Sequence, residues 1–266
     1  MATDIYRQRV WVDKFITEEP ANSLDAERVV RISESIPADV ATVLDVGLGG
    51  GYIYRELKKN GRLKCYGIDI SEELVGRLGD KRVFVGDVGS IPAKSGSFDL
   101  VLAADLLEHV EDRYLENSIS ELARVSRKYI LINSPYKGTV GWAVALCNRC
   151  GKEFNIYGHT RSVDIRLIRR IFPGSMFEVL ISETFGKKRL ARPAFLVDLA
   201  RGLGKVYSNE AALCPFCLNT EFQYPRRNAI EKCLGRLICA IFILRDRLTP
   251  SIFKSGSEIC ILLRKR

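Results

Sequence analysis

Compact apolar runs alternate along the chain with segments whose apolar positions recur every three or four residues. The runs at 42–46, 64–69, 82–86, 98–103 and 128–133 predict strands, and the segments at 51–59, 72–78, 112–126 and 162–172 predict helices. Strand–helix alternation of this kind implies a doubly wound α/β architecture, a mostly parallel sheet covered by helices on both faces. Two helices are expected to open the chain, at 5–16 and 23–35; Asn22 or Ser23 caps the second, and Pro37 lies beyond its end. Phe177–Phe185 and Glu258–Arg264 (EICILLR) predict two later strands, with a long insertion at 186–256 between them. The chain therefore divides into N-terminal helices at 1–40, a sheet domain at 41–185 and 256–266, and insertions at 137–160 and 186–255.

The first strand runs into a glycine-rich turn and a helix, TVLDVGLGGGYIYREL over 42–57. Glycines let a backbone turn tightly and approach a ligand closely. Alone, such a turn fits an ordinary strand–helix connection or a nicotinamide site. Asp45 separates the options: a carboxylate just before Gly47, Gly49 and Gly51 repels a pyrophosphate but can hold a cationic amino group. Asp69 ends the second strand, 18 residues after Gly51, a spacing that suits an acid binding ribose hydroxyls. Asp87 follows the third strand in VFVGDVGSIP. Three acids at three successive strand ends converge on the carboxyl edge, where open α/β sheets bind ligands. Helix N-capping is the competing role for any one of them, and it is less suited to explain the set.

LDVGLGGG resembles the glycine motif of class I S-adenosylmethionine-dependent methyltransferases, and GDVGSIPAKSGSFDLVLAADLLEHVED (86–112) is similar to their third and fourth strands. The resemblance extends over residues 40–185 and the terminal strand. It implies a Rossmann-like fold with an antiparallel last strand and S-adenosylmethionine as cofactor. It places Asp45, Gly47, Gly49 and Gly51 at the methionine part, Asp69 at the ribose hydroxyls with Ile70 beside it, Asp87 and Val88 at the adenine, and Ala104 and Asp105 at the end of the pocket. Leu48 departs from the small residue common in that motif; its backbone, not its side chain, is expected to line the turn.

Methyl transfer from a sulfonium releases a neutral thioether, so proximity and orientation supply much of the acceleration. A base is needed only when the acceptor is protonated at working pH. The candidates are His109 in LLEHVED, His159 in YGHTRS ahead of a helix expected near Ser162, and Asp105. For each histidine a structural contact is the competing role. Asn133-Ser134-Pro135-Tyr136 is similar to a motif of amino-methylating nucleic-acid enzymes, but it follows strand five rather than strand four; it reads instead as the exit of a strand that Pro135 ends.

Of eight cysteines, four form two CxxC pairs, Cys147/Cys150 and Cys214/Cys217. A CxxC turn lets two thiolates share a tetrahedral ion. The 63 residues between the pairs exclude a simple local ribbon, yet both lie in connections that begin at the carboxyl edge. One structural zinc held by all four is expected, in a small cap over the substrate side; free-thiol turns and disulfides are the alternatives. CNRCGKEFNIYGHTRS also resembles a cysteine-bearing insertion found in some bacterial and archaeal methyltransferases of this class. Cys65, Cys233, Cys239 and Cys260 lie in apolar surroundings and read as core residues.

Composition adds one asymmetry. Residues 1–146 carry 19 basic and 22 acidic side chains, and residues 147–266 carry 22 and 10. The basic half is expected either to meet an anionic partner or to be a solvated surface. The acceptor that follows is a small or lipid-linked molecule, and an anionic one would suit the basic half. Clustered Lys187, Lys188, Arg189 and Arg192 support a rival, a zinc-containing nucleic-acid-binding protein that kept the fold, against which the three acids argue. Residues 229–247 (AIEKCLGRLICAIFILRDR) suit a helix on an anionic membrane surface or one packed on the cap's own core. With no signal-like or membrane-spanning segment, a cytoplasmic location, free or peripheral to the membrane, is the expectation.

Overall fold

The computed structural model describes residues 6–7, 12–13, 22–136, 144–188, 190, 199, 213–220, 222, 228–250 and 254–266. The helix expected at 5–16 thus lies largely outside the described residues. The elements are α1 (Ser23–Glu34), β1 (Thr42–Val46), α2 (Tyr52–Lys59), β2 (Lys64–Asp69), α3 (Glu72–Leu78), β3 (Val83–Val85), β4 (Phe98–Ala104), α4 (Asp112–Val125), β5 (Ser126–Pro135), β6 (Val144–Leu146), β7 (Glu153–Asn155), α5 (Ile165–Ile171), β8 (Phe177–Phe185), α6 (Ala229–Leu248) and β9 (Glu258–Lys265).

Seven strands form one sheet in the order β3-β2-β1-β4-β5-β9-β8. Strands β3 to β5 pair in parallel, and β9 runs antiparallel to both β5 and β8. Every residue of β4 is buried, as expected of a central strand covered on both faces. Alternate residues serve the two faces. Phe98, Val101 and Ala103 of β4, with Ile130 and Ile132 of β5, pack against Ile119, Leu122 and Val125 of α4 and Ile168 of α5. Leu100, Leu102 and Ala104, with Leu131, pack against Ile32 of α1 and Ile53, Tyr54 and Leu57 of α2.

Local chemistry sets the element ends. Asn22 caps α1, its side chain accepting from the N–H groups of Leu24 and Asp25. The helix expected from Ser162 begins later, at Ile165, because Asp164 takes the cap and accepts from Leu167 N–H at 2.9 Å. Pro135 closes β5, so the Asn133–Tyr136 stretch is a strand exit. A two-stranded β6–β7 hairpin, too short to be visible in the hydrophobic pattern, follows β5 and carries Cys147 and Cys150 between its strands. Cys65 and Cys260 are buried, but Cys233 lies exposed on α6, which corrects its reading as a core residue.

Candidate functional site

The carboxyl edge of β1, β2 and β3 forms a cradle. Gly47, Gly49 and Gly51 all have positive φ, at 73°, 54° and 75°. Three left-handed residues in five are cheap only for glycine. Gly47 N–H donates to Ile68 O at 2.8 Å, and Gly51 N–H to Leu48 O at 2.9 Å, which folds the turn back over β2. The Leu48 side chain turns away into the core and is 7% exposed.

The expected acids stand around this turn. Asp69 accepts from Gly49 N–H at 3.0 Å and, through its other oxygen, from Ser71 N–H at 2.9 Å. Burial raises its pKa, and the N–H groups of Ser71, Gly49 and Ile70 oppose that rise. Asp45 is 2% exposed, and its Oδ2 is buried without a hydrogen-bond partner among the described residues. Burial, with the charge of Asp69 adding, pushes its carboxyl up to about 7. Asp87 is half exposed and accepts from Gly89 N–H at 2.8 Å. Ile70 and Val88 are half-buried beside their acids, and Ala104 is buried at the end of β4. An orphaned buried carboxylate oxygen above a glycine turn calls for a cationic, donor-bearing ligand, so the cradle fits the amino acid part of S-adenosylmethionine. A side chain at Gly51 would also press on the core beneath the turn: its Cβ would lie 2.7 Å from Leu78 Cδ2.

Beyond β4 the edge carries a second group of polar residues. Asp105 adopts a left-handed conformation, φ 49°, that is rare outside glycine. Its Oδ2 lies 3.0 Å from Nη1 of Arg28, a residue sequence reasoning missed. The same guanidinium reaches Asp25 at 2.9 Å, the Tyr52 hydroxyl at 2.9 Å and Glu258 at 3.3 Å. Asn133 Nδ2 donates to Glu258 Oε2 at 3.2 Å. Arg28 therefore ties α1 to the start of α2 and to the ends of β4 and β9. Burial works against its charge, but Asp105 and Glu258 more than offset it. Burial and the charge of Asp105 push Glu258 up to about 7 despite Arg28. Asp105 is also raised by burial, with Arg28 opposing.

His109 and His159, read as separate candidates, stand together with ring centroids 4.9 Å apart. The 158–161 turn is stitched onto the turn after β4. Thr160 N–H donates to Glu108 O at 2.7 Å, its hydroxyl lies 2.9 Å from Val110 O, and Arg161 donates to Leu107 O at 2.8 Å. Burial, with His159 adding, lowers His109 to about 3, and burial lowers His159 to about 4, so both rings are neutral near pH 7. Glu108, also missed, is 1% exposed beside them, and burial followed by the charge of Asp105 raises its pKa well above the ordinary range. Leu106, in the same turn, packs over Gly47 and so joins this cluster to the cradle.

The two cysteine pairs meet. Cys147 and Cys217 are 3.6 Å apart at Sγ, as are Cys150 and Cys214, and all four sulfurs lie within 4.8 Å of one another. Thiolates 2.3 Å from a tetrahedral ion stand about 3.8 Å apart, so the set fits zinc. The two turns repeat each other. Gly151 and Leu218, each four residues after its first cysteine, donate to Cys147 O and Cys214 O at 2.8 and 2.9 Å, with φ of 69° and 56°. Ala145, Phe154, Ile156 and Phe222 surround them as a small separate core.

A parallel sheet in this order, closed by an antiparallel strand and carrying a glycine cradle flanked by acids, defines the Rossmann-like methyltransferase fold. Residues 44–129 match a family described as "Methyltransferase domain". Norajmaline N-methyltransferase of Rauvolfia serpentina is 34% identical over 38% of this chain and 38% of its own length. A ubiquinone biosynthesis O-methyltransferase of Xanthomonas axonopodis pv. citri is 33% identical over 38% of this chain and 46% of its own. The chain thus spans less than half the length of these curated relatives. The crystal structure of a SAM-dependent methyltransferase from Archaeoglobus fulgidus shares the fold, with TM-score 0.53 and 18% identity over 91% of this chain and 94% of that one.

Proposed function

We propose that this chain transfers the methyl group of S-adenosylmethionine to a small or lipid-linked acceptor. The observation that carries the reading is the glycine cradle with the orphaned buried oxygen of Asp45 above it. The names of the relatives, an N-methyltransferase and an O-methyltransferase of small molecules, agree with a small acceptor. The cofactor supplies an electrophilic methyl group on a cationic sulfur. Asp45 and the turn at Gly47, Gly49 and Gly51 hold its amino acid part; Asp69 with Ile70 takes the ribose, Asp87 and Val88 the adenine, and Ala104 and Asp105 close the pocket. Asp105, His109 and His159 face the acceptor. Asp105 is engaged by Arg28 and serves to position, whereas the rings of His109 and His159, which burial lowers to about 3 and 4, stay neutral and can accept a hydrogen bond from the acceptor rather than take its proton. An anionic end of the acceptor would point away from the acids of this pocket, towards the basic second half of the chain.

Calorimetry with S-adenosylhomocysteine tests the reading. Binding is expected, and Asp69→Ala should weaken it at least tenfold, the loss of a charge-assisted hydrogen-bonding group. Tight binding of NAD with no binding of either sulfur nucleotide would sink the proposal.

We further propose one structural zinc at Cys147, Cys150, Cys214 and Cys217, supported by the sulfur spacing. A second reading of how the acceptor arrives rests on α6. Ile238 and Phe242 are buried, but Ile230, Leu234, Leu237, Ile241, Leu244 and Leu248 form an exposed stripe at helical spacing. Among the described residues no helix is long and apolar enough to cross a membrane. The stripe, with Arg236 and Arg247 exposed on the same helix, suits docking on an anionic lipid surface from which a lipid-linked acceptor is drawn.

A further inference from the structure

We propose that Glu108, His109 and His159 form a second metal site, distinct from the four-cysteine cluster, for a first-row divalent cation such as Mn2+. One carboxylate oxygen of Glu108 and one nitrogen of each ring lie within 4.8 Å of one another. Two imidazoles and a carboxylate are a familiar nitrogen–oxygen set for such ions, leaving positions open for water or substrate.

Three independent features show that the set is built rather than accidental. The first is the carboxylate. Both oxygens of Glu108 are buried without a hydrogen bond of ordinary geometry among the described residues; its own backbone and the Ser134 side chain give some support to the charged form, and burial outweighs them, an expensive state for an acid. A bound cation removes that cost.

The second is the orientation of His109. Tyr6 Oη lies 3.0 Å from His109 Nδ1 and donates to Gly158 O at 3.2 Å. In the arrangement where the hydroxyl gives its proton to that carbonyl, it accepts from Nδ1–H, which places the ring proton on Nδ1 and the lone pair at Nε2. Outer partners of ligating histidines do the same, fixing tautomer and ring orientation.

The third is the attachment of His159. Its turn has no elements of its own, yet Thr160 and Arg161 bind the carbonyls of Leu107, Glu108 and Val110. These bonds hold His159 against Glu108 and His109 across about fifty residues of chain. A stray histidine beside a buried acid would not need that framework.

The binding of the ion stands on these residues alone; its use in catalysis rests on the methyltransferase reading. At the acceptor side, a cation would bind an acceptor oxygen and make its hydroxyl easier to ionise.

The test uses the full-length protein with its thiolate-bound zinc in place. Loosely held metal is first removed by a brief EDTA wash, and Mn2+ is then added and followed by electron paramagnetic resonance. Mn2+ prefers nitrogen and oxygen donors and does not compete for the cysteines. About one bound Mn2+ per chain is expected. His159→Gln and Glu108→Gln, checked for folding by circular dichroism, should each weaken it at least tenfold, and Cys214→Ser should leave it intact. No bound Mn2+ at millimolar concentration would overturn the proposal, and so would wild-type affinity in both folded variants. S-adenosylhomocysteine binding is measured alongside. Its loss in the wild type would sink the methyltransferase reading and leave the metal site standing, while its retention without Mn2+ binding would do the reverse.

Discussion

Arg28 holds the polar group beyond β4 together, and Arg28→Met tests that assignment. The guanidinium is 9% exposed and contacts Asp105, Glu258, Asp25 and Tyr52 at 2.9–3.3 Å. Methionine fills similar space but carries no charge. Glu258, 5% exposed at its side chain, then loses its only cation among the ion pairs of the described residues. Breaking a buried pair in this way costs about 3–5 kcal/mol, because the remaining charge stays desolvated. For a chain of this size each kcal/mol shifts Tm by about 2–4 °C, so a fall on the order of 10 °C is expected at pH 8. The loss should shrink at low pH. The ordinary pKa of glutamic acid is 4.5, and Glu258 stands at about 7 in the folded protein. A raised folded pKa means that the folded state binds the extra proton, so the acid's burial is tolerated below the unfolded pKa and becomes costly as pH rises towards 7. At pH 5 Glu258 is largely protonated and has little to lose with Arg28. Thermal denaturation followed by circular dichroism at pH 5 and pH 8 measures both arms, and Arg28→Met with Glu258→Gln should recover part of the loss at pH 8. An equal loss at both pH values, or one below about 1 kcal/mol at pH 8, would refute the reasoning.

Other expectations are narrower. Purified protein washed briefly with EDTA should retain about one zinc per chain; Cys214→Ser should lose it while the sheet stays folded, and an intact zinc content in that variant would refute the four-cysteine site. S-adenosylmethionine should bind more tightly as pH rises through about 7, since Asp45 must ionise to hold a cation; Asp45→Asn should abolish that trend, and a pH-independent affinity in the wild type would contradict it. Gly51→Ala should cost about 1–2 kcal/mol by denaturant unfolding, from the forced positive φ and the clash with Leu78, and should weaken cofactor binding. Leu237→Glu with Leu244→Glu should reduce sedimentation with phosphatidylserine vesicles at least tenfold; unchanged sedimentation would end the lipid reading of α6. Submicromolar RNA binding at physiological salt would promote the nucleic-acid rival, whereas charge reversal at exposed Lys187 and Lys188 should alter only acceptor affinity.

Much of the fold was legible because its signals are local. Apolar runs of strand length are set by burial on both faces, and each is written within a few residues. The cradle was legible for the same reason: Asp45 and the three glycines are neighbours in the chain, and left-handed φ restricts those positions to glycine. The cysteine pairs were recognisable as pairs, since one CxxC turn is a four-residue object. The positions that only the tertiary structure decided are pairings between distant segments. Arg28 and Glu258 read as ordinary charges in a helix and a strand, and they meet because α1 packs over the end of β5 beside β9. His109 and His159 read as rival bases, and they meet, with Glu108, because Thr160 and Arg161 bond one turn to the other. Cys147 finds Cys217 rather than a neighbour in its own turn because the β6–β7 hairpin and the segment after β8 leave the same sheet edge. Periodicity and propensity describe how a segment buries its own face. Which side chains then stand opposite one another depends on strand order, and strand order is a property of the whole chain.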